Sequence, residues 1–222
     1  MLGYRVLDRI QTHCPNERFG SQYGGWTICT SALDRGSIVY SFGVGEDLSF
    51  DLSLIDRYGL QIYAFDPTPR SIAWARAQVL PPNLHFFEYG IAGYDGTASF
   101  FPPENASHVS HSILKRPHNT GCPIQVPVRR LSTIMQELGH TQLCILKMDI
   151  EGAEYAVVED MLESNIRPFQ ILVEFHHRFE PVGIRKTLSM IRRLNRQGYR
   201  IFSISPSHEE FSFIRDREPT LS

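Results

Sequence analysis

A lysine, two carboxylates and a glycine follow one another where an apolar run stops, in Cys144-Ile145-Leu146-Lys147-Met148-Asp149-Ile150-Glu151-Gly152-Ala153-Glu154. Charged groups at the end of a buried strand suit a site in an open α/β sheet, because ligands there lie outside the carboxyl ends of the strands. The next apolar run closes on Glu174, His176 and His177. Lys147, Asp149, Glu151, Glu174, His176 and His177 are therefore the candidates for proton transfer and positioning. Asp149 is expected to position a cofactor or an acceptor, and Glu174 or His176 to take a proton. Asp149 and Glu174 each end a central strand, so they are expected to face one another across the sheet edge. Asp149, Glu174, His176 and His177 could also hold a divalent ion, but their spacing matches no standard metal motif and no metal is expected. Acids in a first helical turn also stabilise the helix macrodipole; that plainer reading competes for Glu151 and leads for Glu154. Lys147 reads either as catalytic or as the ion-pair partner of a neighbouring carboxylate.

A second constellation lies upstream, in Phe42-Gly43-Val44-Gly45-Glu46-Asp47. Glycines at a strand-to-helix turn let the backbone approach a ligand. Asp66 ends the following strand, where an acid can accept hydrogen bonds from ribose hydroxyls; the competing reading is an Asx turn before Pro67. A dinucleotide site prefers a third glycine where this chain has Leu48. Glu46 and Asp47 would repel a pyrophosphate and suit a cationic amino-acid moiety, such as the ammonium of S-adenosylmethionine.

These groups need a scaffold, and the hydrophobic pattern supplies one. Strands are expected at 37–42, 60–65, 84–89, 97–101, 124–129, 144–148, 169–175, 200–203 and 211–214. Leu48, Leu52, Ile55 and Tyr58 mark a helix stopped by Gly59, and Thr68, Pro69, Ile72, Ala75 and Val79 a second one stopped by Pro81 and Pro82. Further helices are expected over 131–138, on Val157, Val158, Met161 and Leu162, and on Ile184, Leu188, Ile191 and Leu194. Alternating strands and helices predict an α/β fold: a Rossmann-like, doubly wound, mostly parallel sheet, with an antiparallel C-terminal edge hairpin. Residues 1–36 read as an irregular lead-in segment packed on a main domain of residues 37–222. The segment 101–123 reads as a functional loop, with His108 and His111 as exposed loop residues. Arg192, Arg193 and Arg196 read as the solvated face of their helix.

Composition limits the partners. A net charge of −2 and the absence of a basic stripe interleaved with aromatics argue against nucleic acid. No apolar run is long enough to span a bilayer, and the N-terminus lacks a signal-peptide pattern. Cys14, Cys29, Cys122 and Cys144 form no CxxC pair. Reduced thiols and a cytoplasmic setting are expected, with a Cys14–Cys29 bridge as the alternative.

The glycine turn, the run Ile62-Tyr63-Ala64-Phe65-Asp66-Pro67-Thr68-Pro69 and the Asp-x-Glu-Gly-x-Glu element of Asp149–Glu154 resemble the FkbM-type methyltransferases. The resemblance covers roughly residues 20–215. It implies a seven-stranded class I methyltransferase sheet, S-adenosyl-L-methionine across its strand ends, and O-methylation of a small-molecule or glycan hydroxyl. It also implies that Phe42, Gly43, Val44 and Gly45 shape the donor loop, that Asp66 and Pro67 adjoin the ribose, and that Gly90 and Ile91 lie beside the adenine. The chain departs from many members in having Ser41 before Phe42, and Glu46-Asp47 after Gly45. The competing readings are an NAD(P)-binding Rossmann-like oxidoreductase and a methyltransferase-fold binding module without catalysis.

Overall fold

The computed structural model describes residues 9–31, 33–102, 112, 122–179 and 182–216. His108, His111 and most of the 101–123 loop lie outside them.

The central sheet is built from β3 (Ile38–Phe42), β4 (Gln61–Phe65), β5 (Leu84–Phe87), β9 (Ile145–Met148), β10 (Gln170–Glu174), β11 (Tyr199–Ile204) and β12 (Glu210–Arg215). Its order is β11-β12-β10-β9-β3-β4-β5. β3, β4, β5, β9 and β10 pair in parallel, whereas β12 runs antiparallel to both β10 and β11. The closing hairpin is thus as expected, but its last strand is inserted beside β10 and leaves β11 at the edge.

Strand residues alternate between two apolar clusters, as the period of two requires. Tyr40, Phe42, Phe65, Leu146, Met148, Ile171 and Val173 face the cluster that takes in α3 (Leu131–Leu138), α4 (Glu154–Glu163) and α5 (Ile184–Arg196). Val39, Ile62, Ala64, Ile145 and Leu172 face the other, with α1 (Ser49–Tyr58) and Trp74 of α2 (Pro69–Arg76). That second face is completed by residues the sequence pattern leaves irregular. β1 (Asn16–Phe19) and β2 (Trp26–Cys29) form an antiparallel hairpin. Gln170 fastens it by donating to Cys29 O and accepting from Cys29 N, both at 2.8 Å. Cys14 and Cys29 are free thiols, and burial followed by the neighbouring Cys29 pushes the Cys14 thiol up to about 12. β6 (Gly90–Ile91), β7 (Gly96–Phe100) and β8 (Ile124–Arg129) make a small separate sheet.

Two helices differ from the periodic reading. In α1 the buried positions are Phe50, Asp51 and Leu54, while Leu52 is exposed. α2 ends at Arg76, so Val79 lies beyond it and is fully exposed.

Candidate active site

Phe42, Phe65, Met148 and Glu174 end neighbouring parallel strands, so the residues that follow them share one edge of the sheet. On the β3 and β4 side the backbone is tightly fixed. Gly43 has φ +77, and a Cβ placed there would run into the carbonyl oxygen of Asp149. Only glycine fits such a left-handed contact without strain. Gly43 N donates to Phe65 O at 3.0 Å and Asp149 N to Phe42 O at 3.1 Å, which ties the turn to both flanking strands. Gly45 has φ +60, but a Cβ there would meet nothing within 4 Å. The turn is therefore packed on the sheet at Gly43 and opens on free space at Gly45.

Asp66 makes the Asx turn that was one of its two readings, and it also holds the glycine turn. Its Oδ1 accepts from Thr68 N and Thr68 Oγ1 at 2.9 and 2.6 Å, an Asx turn at the start of α2. Its Oδ2 accepts from Gly45 N at 2.9 Å and so anchors the glycine turn. A carboxylate oxygen has room for a second donor, so Oδ2 can still take a hydroxyl. Pro67 packs near Gly90, where a Cβ would lie 3.2 Å from Pro67 Cγ. Gly90 and Ile91 are buried and paired with Val128 and Arg129 of β8.

The acids expected to attract an ammonium already have protein partners. Glu46 makes a two-pronged pair with Arg70 at 2.9 and 2.7 Å, and Arg70 lowers its pKa. Asp47 accepts from Ser49 N at 2.7 Å and from Ser21 Oγ at 2.6 Å. It thereby holds the lead-in loop against the start of α1, and Gly24 leaves it the room: a Cβ there would lie 2.6 Å from Asp47 Oδ2.

Of the two roles expected of Lys147, the ion pair with a neighbouring carboxylate is replaced by bonds to backbone carbonyls. It shares a register row with Ser41 on the α1 face of the sheet. Its Nζ donates to Gly43 O at 2.6 Å and Phe42 O at 3.2 Å and lies 6.0 Å from the Trp26 ring centroid. It is only 6% exposed, and a buried ammonium must be satisfied in this way. It braces the glycine turn from below and makes no ion pair among the described residues. Burial pushes the Asp51 carboxyl beneath it up to about 6, with the charge of Lys147 opposing that rise.

The β9 and β10 side is electrostatically different. Glu151 has φ +52 and Gly152 φ +109. Two successive left-handed residues turn the chain sharply before α4 and cost about 1–3 kcal/mol at the non-glycine position. The turn sends Glu154 inward, where it is fully buried. One of its oxygens accepts from His176 Nδ1 at 2.7 Å, and both accept from Gly152 N at 3.0 and 3.1 Å. Glu154 is thus a first-turn acid of α4, as expected, and in addition the orienting partner of His176. The Asp-x-Glu-Gly-x-Glu spacing was the available signal, because only a sharp glycine turn brings its third acid back beneath the first two.

His176 is 5% exposed, and its Nε2 faces Glu151 Oε2 at 3.6 Å, Asp149 Oδ1 at 3.9 Å and Glu174 Oε1 at 3.9 Å. Burial would lower its pKa, but Glu154, Glu151 and Asp149 outweigh that and push it up to about 10. Burial and then the adjacent Asp149 push Glu174 up to about 9. The expected pairing of Asp149 with Glu174 is therefore present, and His176 joins it. His177 makes none of these contacts: both ring nitrogens are buried without a hydrogen bond among the described residues, and burial lowers its pKa. The lead-in segment supplies a residue that the sequence pattern does not flag. Tyr23 is mostly exposed, yet partial burial and then Asp149, Glu151, Glu174 and Asp47 raise the pKa of its phenol.

A doubly wound sheet with a glycine turn after its first central strand, an acid ending the next, and charged groups along the same edge has the architecture of a Rossmann-like methyltransferase. A profile of the methyltransferase FkbM domain matches residues 38–201, and the chain belongs to that family. It is 26% identical over 218 residues to probable methyltransferase-like protein 24 of Rattus norvegicus, covering 89% of this chain and 53% of that protein. It is also 26% identical over 129 residues to the 2-O-methyltransferase NoeI of Sinorhizobium fredii (strain NBRC 101917 / NGR234), covering 52% of this chain and 53% of that protein. The chain spans about half the length of the curated relatives it matches. The crystal structure of methyltransferase FkbM from Methylobacillus flagellatus KT superposes with a TM-score of 0.52 at 12% identity, over 83% of this chain and 45% of that one, a likeness of fold. No helix among the described residues is long and apolar enough to cross a membrane.

Proposed function

We propose that this chain binds S-adenosylmethionine at the Gly43–Asp66 edge and transfers its methyl group to a hydroxyl of a small molecule or glycan. The observation that carries the reading is the glycine turn. Gly43 is locked against Asp149, while Gly45 is left-handed, opens on free space and is anchored by Asp66. A side chain at Gly45 would project into that space, so the turn forms a cradle that a ligand can enter. Asp66 Oδ2 would accept a ribose hydroxyl, and Phe42, Val44 and Pro67 would line the donor. When bound, the donor supplies a methyl group on a sulfonium, already electrophilic. The residues of this chain then have to align the acceptor and manage its proton.

The carboxylates and imidazole at 149–176 are suited to that second task. Glu154 fixes the His176 ring, so its Nε2 stands at a constant position facing Asp149 and Glu174. Glu174 at about 9 and His176 at about 10 both hold protons at neutral pH, so neither is free to take up an acceptor proton and that task would fall to Asp149. The hydroxyl acceptor draws on the activity of the relative NoeI, a 2-O-methyltransferase. A cytoplasmic setting belongs to the same proposal.

Calorimetry tests the donor assignment. Wild type should bind S-adenosylmethionine and not NAD(P), and Asp66→Ala should lose the binding. Unchanged donor affinity in that variant, or binding of NAD(P) alone, would remove the reading. Donor binding without turnover across a broad panel of hydroxyl acceptors would leave a binding module instead.

A further inference from the structure

Three carboxylate oxygens stand around His176 Nε2 at 3.6, 3.9 and 3.9 Å. All three distances exceed a hydrogen bond, which needs about 3.2 Å or less. They match two ligand atoms on one ion, since bonds of roughly 2.0–2.2 Å place ligand atoms about 3–4.3 Å apart. Ligand atoms of Asp149, Glu151 and His176 all lie within 4.8 Å of one another. We propose that Asp149, Glu151 and His176 form a binding site for one divalent cation of the Mn2+ or Zn2+ type.

Two further observations separate this group from an ordinary acidic patch. The His176 side chain is buried, 5% exposed as a residue, and its Nε2 is aimed into the gap between the oxygens. Its other nitrogen is held by the fully buried Glu154, so an ion binding at Nε2 would displace the proton there and leave Nδ1–H on Glu154. A carboxylate behind a ligating imidazole is the usual outer support of a metal site. The ligand set also indicates the ion: two carboxylates favour a hard cation, and the imidazole favours a first-row transition ion over Mg2+ or Ca2+. The sharp turn at Glu151 and Gly152 has the effect of delivering Glu151 and Glu154 to opposite sides of the same imidazole.

Such an ion lowers the pKa of an oxygen ligand, whether water or a hydroxyl. Its use in methyl transfer rests on the function proposed above, but the site itself rests on the carboxylate–imidazole geometry. The test uses the whole chain, freed of metal by chelation, and MnCl2 as the probe. Electron paramagnetic resonance titration should show one saturable site, with spin-echo modulation from a single imidazole nitrogen. Glu151→Gln should weaken binding at least tenfold, and His176→Gln should abolish the nitrogen signal. Calorimetry with ZnCl2 and MgCl2 should give tighter binding for Zn2+ than for Mg2+. Absence of saturable Mn2+ and Zn2+ binding to folded wild type overturns the proposal, whatever the variants do. Saturable binding that keeps its nitrogen signal in a folded His176→Gln variant overturns it too. S-adenosylmethionine affinity is measured separately on the same preparation. A chain that binds the methyl donor but no metal refutes only this site, and one that binds metal but no donor refutes only the donor assignment.

Discussion

The two halves of the sheet edge solve different problems. At the ends of β3 and β4 the polar groups lie close together and are matched: Asp66 with Gly45 and Thr68, Asp47 with Ser21 and Ser49, Lys147 with Phe42 and Gly43. At the ends of β9 and β10, Asp149, Glu151 and Glu174 surround one imidazole nitrogen without touching it. Matched groups fix a shape. Crowded like charges shift pKa values and create a demand for a proton or a cation. The first half is thus built to place a ligand and the second to act on one.

The largest expected effect comes from breaking the shape. Gly43→Ala combines left-handed strain with a collision against backbone, so it should cost about 4 kcal/mol or more. Thermal unfolding should fall by roughly 8–16 °C. Gly45→Ala has a left-handed φ but free space, so it should cost only about 1–2 kcal/mol of strain while reducing donor affinity. Equal melting temperatures for the two variants would show that Gly43 is not locked against Asp149.

Next in size is the imidazole side. Glu154→Ala leaves a buried imidazolium without its partner and should cost about 3 kcal/mol. Glu154→Gln keeps the shape and tests the charge. His176 has a raised folded pKa, so the stability it contributes is complete below its ordinary 6.5 and is lost as pH rises through about 10. Glu174 acts in the same direction. The folded chain keeps its proton up to about 9 while the unfolded chain loses it near 4.5, so rising pH disfavours folding across that interval. Wild-type melting temperature should therefore decline between pH 6.5 and 10, and Glu154→Gln should flatten the His176 part of that decline. An identical pH profile in the variant would detach Glu154 from His176.

Lys147 connects the halves, since its strand leads to Asp149 while its ammonium braces Gly43. Lys147→Met should cost about 2 kcal/mol through two lost charge-assisted hydrogen bonds and weaken donor binding roughly tenfold. It also leaves the buried Asp51 without the charge that opposes its pKa rise. Adding Asp51→Asn should recover part of the stability. A strictly additive double variant would mean the two groups do not interact.

The strand order of function was legible because alternating apolar residues and glycine stops mark each strand, and the strand ends Asp66, Asp149 and Glu174 follow from that. The side of the sheet each charge serves was less so. Lys147 and Asp149 are two residues apart in sequence, but one turns under the glycine loop and the other stands at the mouth. A linear pattern records alternation and not which neighbour covers each face. Glu154 escaped for a related reason: an acid at a helix start is usually solvated, and only the left-handed turn at Glu151 and Gly152 reverses that. The Asn16–Cys29 hairpin carries too few alternating positions to announce itself, and it gains its place from Gln170, which lies 141 residues from Cys29.

The smallest effect concerns Glu46, and it is the sharpest test of the contrast between matched and crowded charge. The acids after Gly45 are suited by sign to the ammonium of the donor, yet Glu46 is engaged by Arg70 on an exposed surface. An exposed pair of this kind contributes little to stability and is screened by salt, so Glu46→Gln should leave the melting temperature unchanged. Donor affinity then decides between two arrangements. If the matched side is already complete, Glu46→Gln and Arg70→Gln bind S-adenosylmethionine as wild type does, at both low and high salt. If Glu46 leaves Arg70 for the ammonium, Glu46→Gln weakens binding severalfold, whereas Arg70→Gln strengthens it by releasing the carboxylate. The opposite signs of the two variants would place Glu46 with the reactive half of the edge and reduce the fixed half to Gly43, Gly45, Asp47, Asp66 and Lys147.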